Sequence, residues 1–281
     1  MNVADALRDA SSTLASTGLK EPQRDARLLL AFAADKPKEF LFAHPEYELD
    51  ANETEAFCDA IRRRAAHEPV QYITGRTEFY GREFEVSPAV LIPRPETEIL
   101  VEKAVDSLKN LRAAHFCEVG AGSGCISVSM LAELPNATAV AVDISSEALE
   151  TARRNAVRHG VAERLELRES DVFDSVPEIG FDAVVSNPPY ISLEEIADLD
   201  REVRDFEPET ALTDRADGLA VIRKIVAGSY HKLAPGGVLF MEIGFGQAER
   251  IPPLLSPDRW QNVGLFDDLQ AIPRLLRAFR R

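Results

Sequence analysis

Apolar residues near the start of the chain recur at helical spacing: Val3, Leu7 and Leu14, then Leu28 to Phe32, then Phe57 and Ile61. This period predicts short amphipathic helices packed as a bundle of four or five over residues 1–70, with one start at the polar run Asn52-Glu53-Thr54-Glu55. Between residues 71 and 95 the pattern turns to aromatic and β-branched residues broken by Gly75, Gly81 and prolines. Phe79-Tyr80 and Phe84-Glu85-Val86 then read as the strands of a β-hairpin linker. From residue 96 to 281 strand and helix signals alternate. Strands are expected at His115 to Val119, Ala137 to Val142, Leu165 to Arg168 and Phe181 to Ser186, and helices at Gly124 to Glu133 and Ser146 to His159. A helix from Leu219 to Leu233 leads through Pro235-Gly236-Gly237 into the strand Val238 to Ile243, and one helix and two strands complete the pattern. Such alternation implies an α/β fold with a parallel, doubly wound sheet.

Composition narrows the picture little, with 45% hydrophobic and 28% charged residues over 281 positions. No run reaches the roughly 18 apolar residues of a membrane helix, and Met1 to Lys20 mixes charges into its apolar positions, so no membrane association is expected and the cytoplasm is the default address. Cys58, Cys117 and Cys125 are read as small packing residues. With the five scattered histidines they form no metal-ligand spacing, so no metal is expected. A net charge of -15 opposes direct nucleic-acid binding unless basic residues share one face, and favours a protein substrate. The arginines between Arg274 and Arg281 are expected on a solvated helix or strand edge.

Two motifs carry chemistry. Glu118-Val119-Gly120-Ala121-Gly122-Ser123-Gly124 follows an apolar strand and opens a helix, where glycines allow a sharp turn and close approach to a ligand. The spacing is GxGxG rather than the dinucleotide GxGxxG, and Glu118 suits a ligand with a cationic end better than a pyrophosphate. Asp143, about 20 residues on at the next strand end, can accept from both hydroxyls of an adenosine ribose, a group shared by NAD and S-adenosylmethionine. Ile144 follows it, and Asp171-Val172-Phe173 after the third strand is placed to flank the adenine, although Phe173 could equally belong to the core.

Asn187-Pro188-Pro189-Tyr190 ends the next apolar strand, so it should share one crevice with the glycine loop. The prolines stiffen the turn and leave carbonyls free to accept. An amide nitrogen is a poor nucleophile, and its hydrogens must be held. Asn187 can accept one through its side-chain oxygen, the Pro188 carbonyl can accept the other, and Tyr190 can lie against the planar group. These residues point to methyl transfer from S-adenosylmethionine, with S-adenosylhomocysteine as product, to a planar nitrogen, by positioning and without a covalent intermediate.

Gln71-Tyr72-Ile73-Thr74-Gly75, Phe79-Tyr80-Gly81 and Leu91-Ile92-Pro93-Arg94-Pro95-Glu96-Thr97-Glu98 resemble the HemK/PrmC family of release factor glutamine methyltransferases. Glu207-Pro208, Ala211-Leu212, Asp217-Gly218-Leu219 and Met241-Glu242-Ile243-Gly244 with Gln247 extend the likeness over nearly the whole chain from Glu68 onward. The resemblance implies a class I, Rossmann-like domain of seven strands at 96–281, preceded by a helical bundle and hairpin. It also implies a substrate, the glutamine of the GGQ motif in class-1 peptide chain release factors, methylated on N5. By the same resemblance Gly120 to Gly124 and Asp143 bind the cofactor, Asn187 lies between cofactor and substrate, and Pro188, Pro189 and Tyr190 hold the glutamine. The family pattern is altered at Glu118, usually Asp; at Val172, where some members carry Trp; and at Thr213-Asp214-Arg215, which replaces a glycine-bearing stretch. The expected protein is a monomer whose helical domain docks the release factor.

The alternatives are a glutamine methyltransferase of a ribosomal protein, set aside on Arg94 to Glu98, and a DNA adenine N6-methyltransferase, which would need a basic surface and a flipped base. A nicotinamide oxidoreductase would leave Asn187 to Tyr190 without a task, and a noncatalytic adapter would leave both motifs intact for no purpose.

Overall fold

The computed structural model describes residues 1–281 and divides into two compact units. The smaller comprises Met1–Arg76 with the returning segment Asp200–Phe206, the larger Thr77–Leu199 with Glu207–Arg281. No helix is long and apolar enough to cross a membrane.

In the smaller unit five helices follow one another: α1 (Val3–Ser16), α2 (Pro22–Ala33), α3 (Lys38–Ala43), α4 (Ala51–Ala65) and α5 (Val70–Thr74). Their ends are chemically specified. Asn2 accepts from the Asp5 N–H to open α1, and Asp50 with Glu53 forms a reciprocal capping box at α4. Val3, Leu14, Leu29, Leu30, Phe57 and Ile61 are buried together, so most of the helical stripe of the sequence turns inward, with Leu7 and Leu28 half-buried and Phe32 exposed. The buried Arg64 pairs with Asp25 at 2.7 Å and with Glu202 of the returning segment at 2.8 Å. Gln71 to Thr74, expected in the hairpin region, instead belongs to α5, which ends because Gly75 takes the left-handed conformation.

The larger unit opens on the hairpin β1 (Arg76–Phe79) and β2 (Arg82–Glu85). Its turn residues Tyr80 and Gly81 both have positive φ, as a two-residue type I′ turn requires. The seven-stranded sheet follows: β3 (His115–Val119), β4 (Thr138–Asp143), β5 (Leu165–Glu169), β6 (Phe181–Ser186), β7 (Leu233–Glu242), β8 (Trp260–Asp267) and β9 (Pro273–Arg280). Its order is β5-β4-β3-β6-β7-β9-β8, parallel from β5 to β7, with β9 antiparallel to both neighbours. The helices α6 (Glu98–Leu108), α7 (Cys125–Glu133) and α8 (Ser146–Arg158) join the core on one face, and the helix Ala220–Lys232 joins that on the other. Strand residues alternate between the two cores. Ala183, Val185 and Phe240 lie in the first, and Val184, Leu239 and Met241 in the second.

Three expectations are corrected. The segment after β7 holds a single 3-10 turn, Pro252–Leu254, in place of a helix, because Pro252 and Pro253 offer no N–H to continue one. Arg274, Arg277 and Arg280 lie on β9, which is paired on both sides, and are not at the sheet edge, while Arg281 follows the strand and is exposed; Arg277 stacks over Phe266 and Phe279, and Arg280 over Tyr230. Cys58 is exposed, whereas Cys117 and Cys125 are buried as expected, and burial pushes both thiols up to about 12.

Asn155 on α8 ties the hairpin to the glycine loop. Its Nδ2 donates to the Glu85 and Ser123 carbonyls at 3.0 and 2.8 Å, and its Oδ1 accepts from the Glu85 N–H at 2.8 Å. Removing it leaves three buried or half-buried backbone groups without that partner. Asn155→Ala is therefore expected to lower the unfolding free energy by about 2–4 kcal/mol in urea denaturation, and a shift under about 0.5 kcal/mol would contradict it.

Candidate active site

Strand order reverses at β3, which leads by α7 to β4 on one side while β6 lies on the other. The carboxyl ends of strands at such a reversal leave a crevice. Here that crevice is a cavity of about 380 Å³, in the size range of small-molecule sites, and all its lining residues belong to the larger unit.

Glu118, Gly120, Ala121, Gly122 and Ser123 line it, as do Asp143, Ile144, Asp171 and Val172, and on the other side Asn187, Pro188 and Pro189. The loop is pinned from β4. The Val142 carbonyl accepts from Gly120 and Ala121, and the Asp143 carboxylate accepts from the Gly122 and Ser145 N–H groups at 2.8 and 2.9 Å. Gly124, whose φ is +77°, ends the turn where a Cβ would meet Ala152 at 3.1 Å, so the third glycine serves packing of α7 on α8. A Cβ on Gly120 would lie 3.7 Å from the Asn187 carbonyl oxygen, which shows how closely the two motifs converge. Ile144 is exposed at the mouth, and Asp171 accepts from Lys224 at 2.7 Å. Val172 holds φ of +53°, a strained conformation for a β-branched residue at a ligand cavity.

Three predicted residues do not line the cavity: Phe173, Tyr190 and Gly124, the last at its packing contact with Ala152. Phe173 packs into the second core against Gly228, where a Cβ would meet its ring at 2.3 Å. The Tyr190 hydroxyl donates to Glu242 Oε1 at 3.3 Å and its ring lies against Gly244, so the phenol braces the turn from behind. Desolvation holds that phenol above its usual range.

Glu118 is fully buried. Its Oε2 accepts from the backbone N–H and the hydroxyl of Ser127 on α7, while Oε1 has no partner. Ser123 Oγ is also buried, beside the Cys125 thiol. Burial pushes Glu118 up to about 8 against the two Ser127 hydrogen bonds, and burial also raises Asp143. The unpartnered Glu118 oxygen and the four carboxylates around the cavity, those of Glu118, Asp143, Asp171 and Asp214, fit a ligand that is rich in donors and cationic at one end, as S-adenosylmethionine is.

The PrmC N-terminal domain profile matches residues 5–75, and that of the methyltransferase small domain matches residues 96–200. The chain is 40% identical to a release factor glutamine methyltransferase of Koribacter versatilis, with 98% of each chain covered. It is 43% identical to one of Cereibacter sphaeroides, over 99% of this chain and 98% of that one. The chain belongs to the release factor glutamine methyltransferase family. It is also 36% identical to a bifunctional methyltransferase of Rickettsia typhi, of whose length it covers 57%. A solved 16S rRNA N2 G1207 methyltransferase of T. thermophilus, in complex with AdoMet and guanosine, shares the fold with a TM-score of 0.55 at 19% identity, over 73% of this chain and 50% of that one.

As a release factor glutamine methyltransferase family member, the chain brings together motif segments whose tasks were not assigned from sequence. Thr97 accepts from Asn187 Nδ2 at 3.1 Å and donates to Glu242 at 2.6 Å. Gln247 donates to the Tyr190 and Gly218 carbonyls at 3.0 and 3.1 Å. Gly218 must be glycine, because a Cβ would sit 2.4 Å from the Tyr190 carbonyl oxygen. These segments were visible as stretches of family likeness, but nothing local linked them to one turn.

The raised Glu118 gives a prediction with a definite sign. The folded chain retains a proton up to about 8 that the unfolded carboxyl, near 4.5, releases. Stability from this group is complete below the unfolded value and is lost as pH rises through about 8. Glu118→Gln stays neutral throughout. Its melting temperature relative to the parent should therefore be higher at pH 9 than at pH 5 in ligand-free protein, and an offset that does not grow with pH would rule this out.

Proposed function

We propose that this methyltransferase transfers the methyl group of S-adenosylmethionine to N5 of the glutamine in the GGQ motif of class-1 peptide chain release factors, in the cytoplasm. The observation that carries the reading is the Asn187 side chain at the cavity wall. Its nitrogen is engaged by Thr97, so its oxygen remains to accept from a substrate amide.

Bound S-adenosylmethionine supplies an electrophilic methyl group on a sulfonium and leaves as S-adenosylhomocysteine. Asp143 would hold the ribose hydroxyls, the turn from Gly120 to Gly124 the methionine portion near Glu118, and Ile144, Asp171 and Val172 the adenine, with Phe173 supporting them from the core. Asn187 Oδ1 and the Pro188 carbonyl accept the two hydrogens of the glutamine amide, which directs the nitrogen lone pair to the methyl carbon. Pro188 and Pro189 keep that turn rigid, and Tyr190 anchors its far end on Glu242. The N–C bond forms as the C–S bond breaks, and the surplus proton leaves the nitrogen afterwards for water, so no dedicated base is needed. The smaller unit, matched over residues 5–75 by the PrmC N-terminal profile, is the proposed docking surface for the release factor.

With labelled S-adenosylmethionine, a release factor should take up label, and the same factor with its GGQ glutamine changed to alanine should not; equal labelling of both refutes the assignment. Asn187→Ala should lower kcat by roughly 100- to 1000-fold while cofactor affinity in calorimetry changes little. Removing residues 1–70 should slow methylation of the intact factor far more than that of a short GGQ peptide, and equal slowing would dismiss the docking role.

A further inference from the structure

From the cavity wall inward, four side chains form one chain of hydrogen bonds, Asn187 and Thr97 at the wall and Glu242 and Tyr190 behind it. Asn187 Nδ2 donates to Thr97 Oγ1 at 3.1 Å, the Thr97 hydroxyl donates to Glu242 Oε2 at 2.6 Å, and the Tyr190 hydroxyl donates to Glu242 Oε1 at 3.3 Å. Thr97 is 2% and Glu242 3% exposed, so water does not compete for these bonds. The four residues come from three distant stretches of sequence: Thr97 just before α6, Asn187 and Tyr190 just after β6, and Glu242 at the end of β7. One carboxylate thus holds both ends of the tetrapeptide, Tyr190 directly and Asn187 through Thr97.

The direction of these bonds matters chemically. An ionised carboxylate only accepts, so Thr97 must give its single hydrogen to Glu242. Towards Asn187 the threonine oxygen can then only accept. The asparagine amide is nearly symmetric in shape, and its two orientations differ only in which of oxygen and nitrogen meets a neighbour. With Thr97 confined to accepting, the nitrogen must face Thr97 and the oxygen must face away. Reversed, the amide would meet the substrate N–H with its own N–H and repel it.

We infer that Thr97 and Glu242 are positioning residues for methyl transfer, the carboxylate acting through the threonine hydroxyl to fix the Asn187 amide with its oxygen towards the substrate nitrogen. This rests on the reading of Asn187 as acceptor for the substrate amide. It gives Thr97, within the Leu91 to Glu98 segment, and Glu242, at the strand end, one shared task on the Asn187 turn.

The environment of Glu242 gives the arrangement a pH dependence. Burial raises its pKa, opposed by the hydrogen bonds from Thr97 and Tyr190 and by Arg274 on β9, while Glu96 adds to the rise; the result is about 7. Buried Cys125 on α7 also feels the charge, and Arg94 and Arg274 act on the neighbouring Tyr190. A neutral Glu242 has a hydrogen of its own to donate. Thr97 is then released to donate towards Asn187, and the single orientation is no longer enforced.

The test compares Thr97→Val, Thr97→Ser and Glu242→Gln in the full chain. Thr97→Val removes the acceptor at nearly constant shape and should lower kcat by roughly 10- to 100-fold with cofactor affinity unchanged, whereas Thr97→Ser should retain most of the parent rate. In the parent enzyme kcat should fall as pH drops through about 7, and in Glu242→Gln that acidic limb should vanish onto a lower plateau. A second readout needs no substrate. The Asn187 side-chain amide signals, identified by their loss in Asn187→Asp, should be protected from solvent exchange in the parent and in Thr97→Ser and exposed in Thr97→Val. Unchanged protection in Thr97→Val, or a parental kcat there, overturns the inference. A parent enzyme that leaves the release factor unmethylated would strike the substrate reading alone, since the amide signal still decides the orientation.

Discussion

A parallel sheet buried on both faces leaves polar groups almost nowhere to go except the ends of its strands. In this chain α6, α7 and α8 pack on one face of the sheet and the helix Ala220–Lys232 on the other, and the buried positions of the inner strands β4, β3, β6 and β7 are mostly Val, Ala, Phe, Leu and Met. All the chemistry is therefore displaced to the carboxyl edge, and the reversal of strand order at β3 opens that edge into one cavity. The glycine loop, Asp143 and the Asn187 turn need no further device to meet. They are the residues that follow β3, β4 and β6.

Two glutamates at that edge, Glu118 near the end of β3 and Glu242 at the end of β7, are buried at a penalty that burial always imposes on a charge. They answer it differently. Glu118 is half satisfied by Ser127 and leaves one oxygen without a partner beside the cavity, the state of a group that awaits a cationic ligand. Glu242 has each oxygen engaged, one by Thr97 and the other by Tyr190, and does not line the cavity. The same residue type in the same layer thus suits binding in one place and bracing in the other, and the difference lies wholly in the neighbours. Close approach completes the brace. Gly218 and Gln247 meet the Tyr190 carbonyl from two further loops, one by lacking a side chain and the other through its amide.

The smaller unit is organised by a different rule. Its helices are held by end caps and a stripe of apolar residues, with one buried arginine, Arg64, whose carboxylate partners Asp25 and Glu202 lie far apart in sequence. Helical period made the bundle readable from Val3, Leu14, Leu29 and Phe57. It could not reveal that residues 200–206 return to this unit, because a segment of seven residues has no periodicity of its own.

Sequence by itself determined the alternation of strands and helices, the convergence of the glycine loop with Asp143 and Asn187, and the family, because each depends on local patterns: period, glycine spacing and a stiff proline turn. It misjudged the stretch before β8, where Pro252 and Pro253 allow only one turn, and the arginines of β9, whose interior position depends on β8 pairing outside them. Tyr190 illustrates the limit most clearly. Its position in the tetrapeptide suggested a ring against the substrate, yet its hydroxyl turns to Glu242, 52 residues away in the chain. Only the tertiary structure decided that, along with the tasks of Thr97, Gly218 and Gln247. A hydrogen bond between side chains on separate strands depends on distance in space, and no local pattern of residues encodes it.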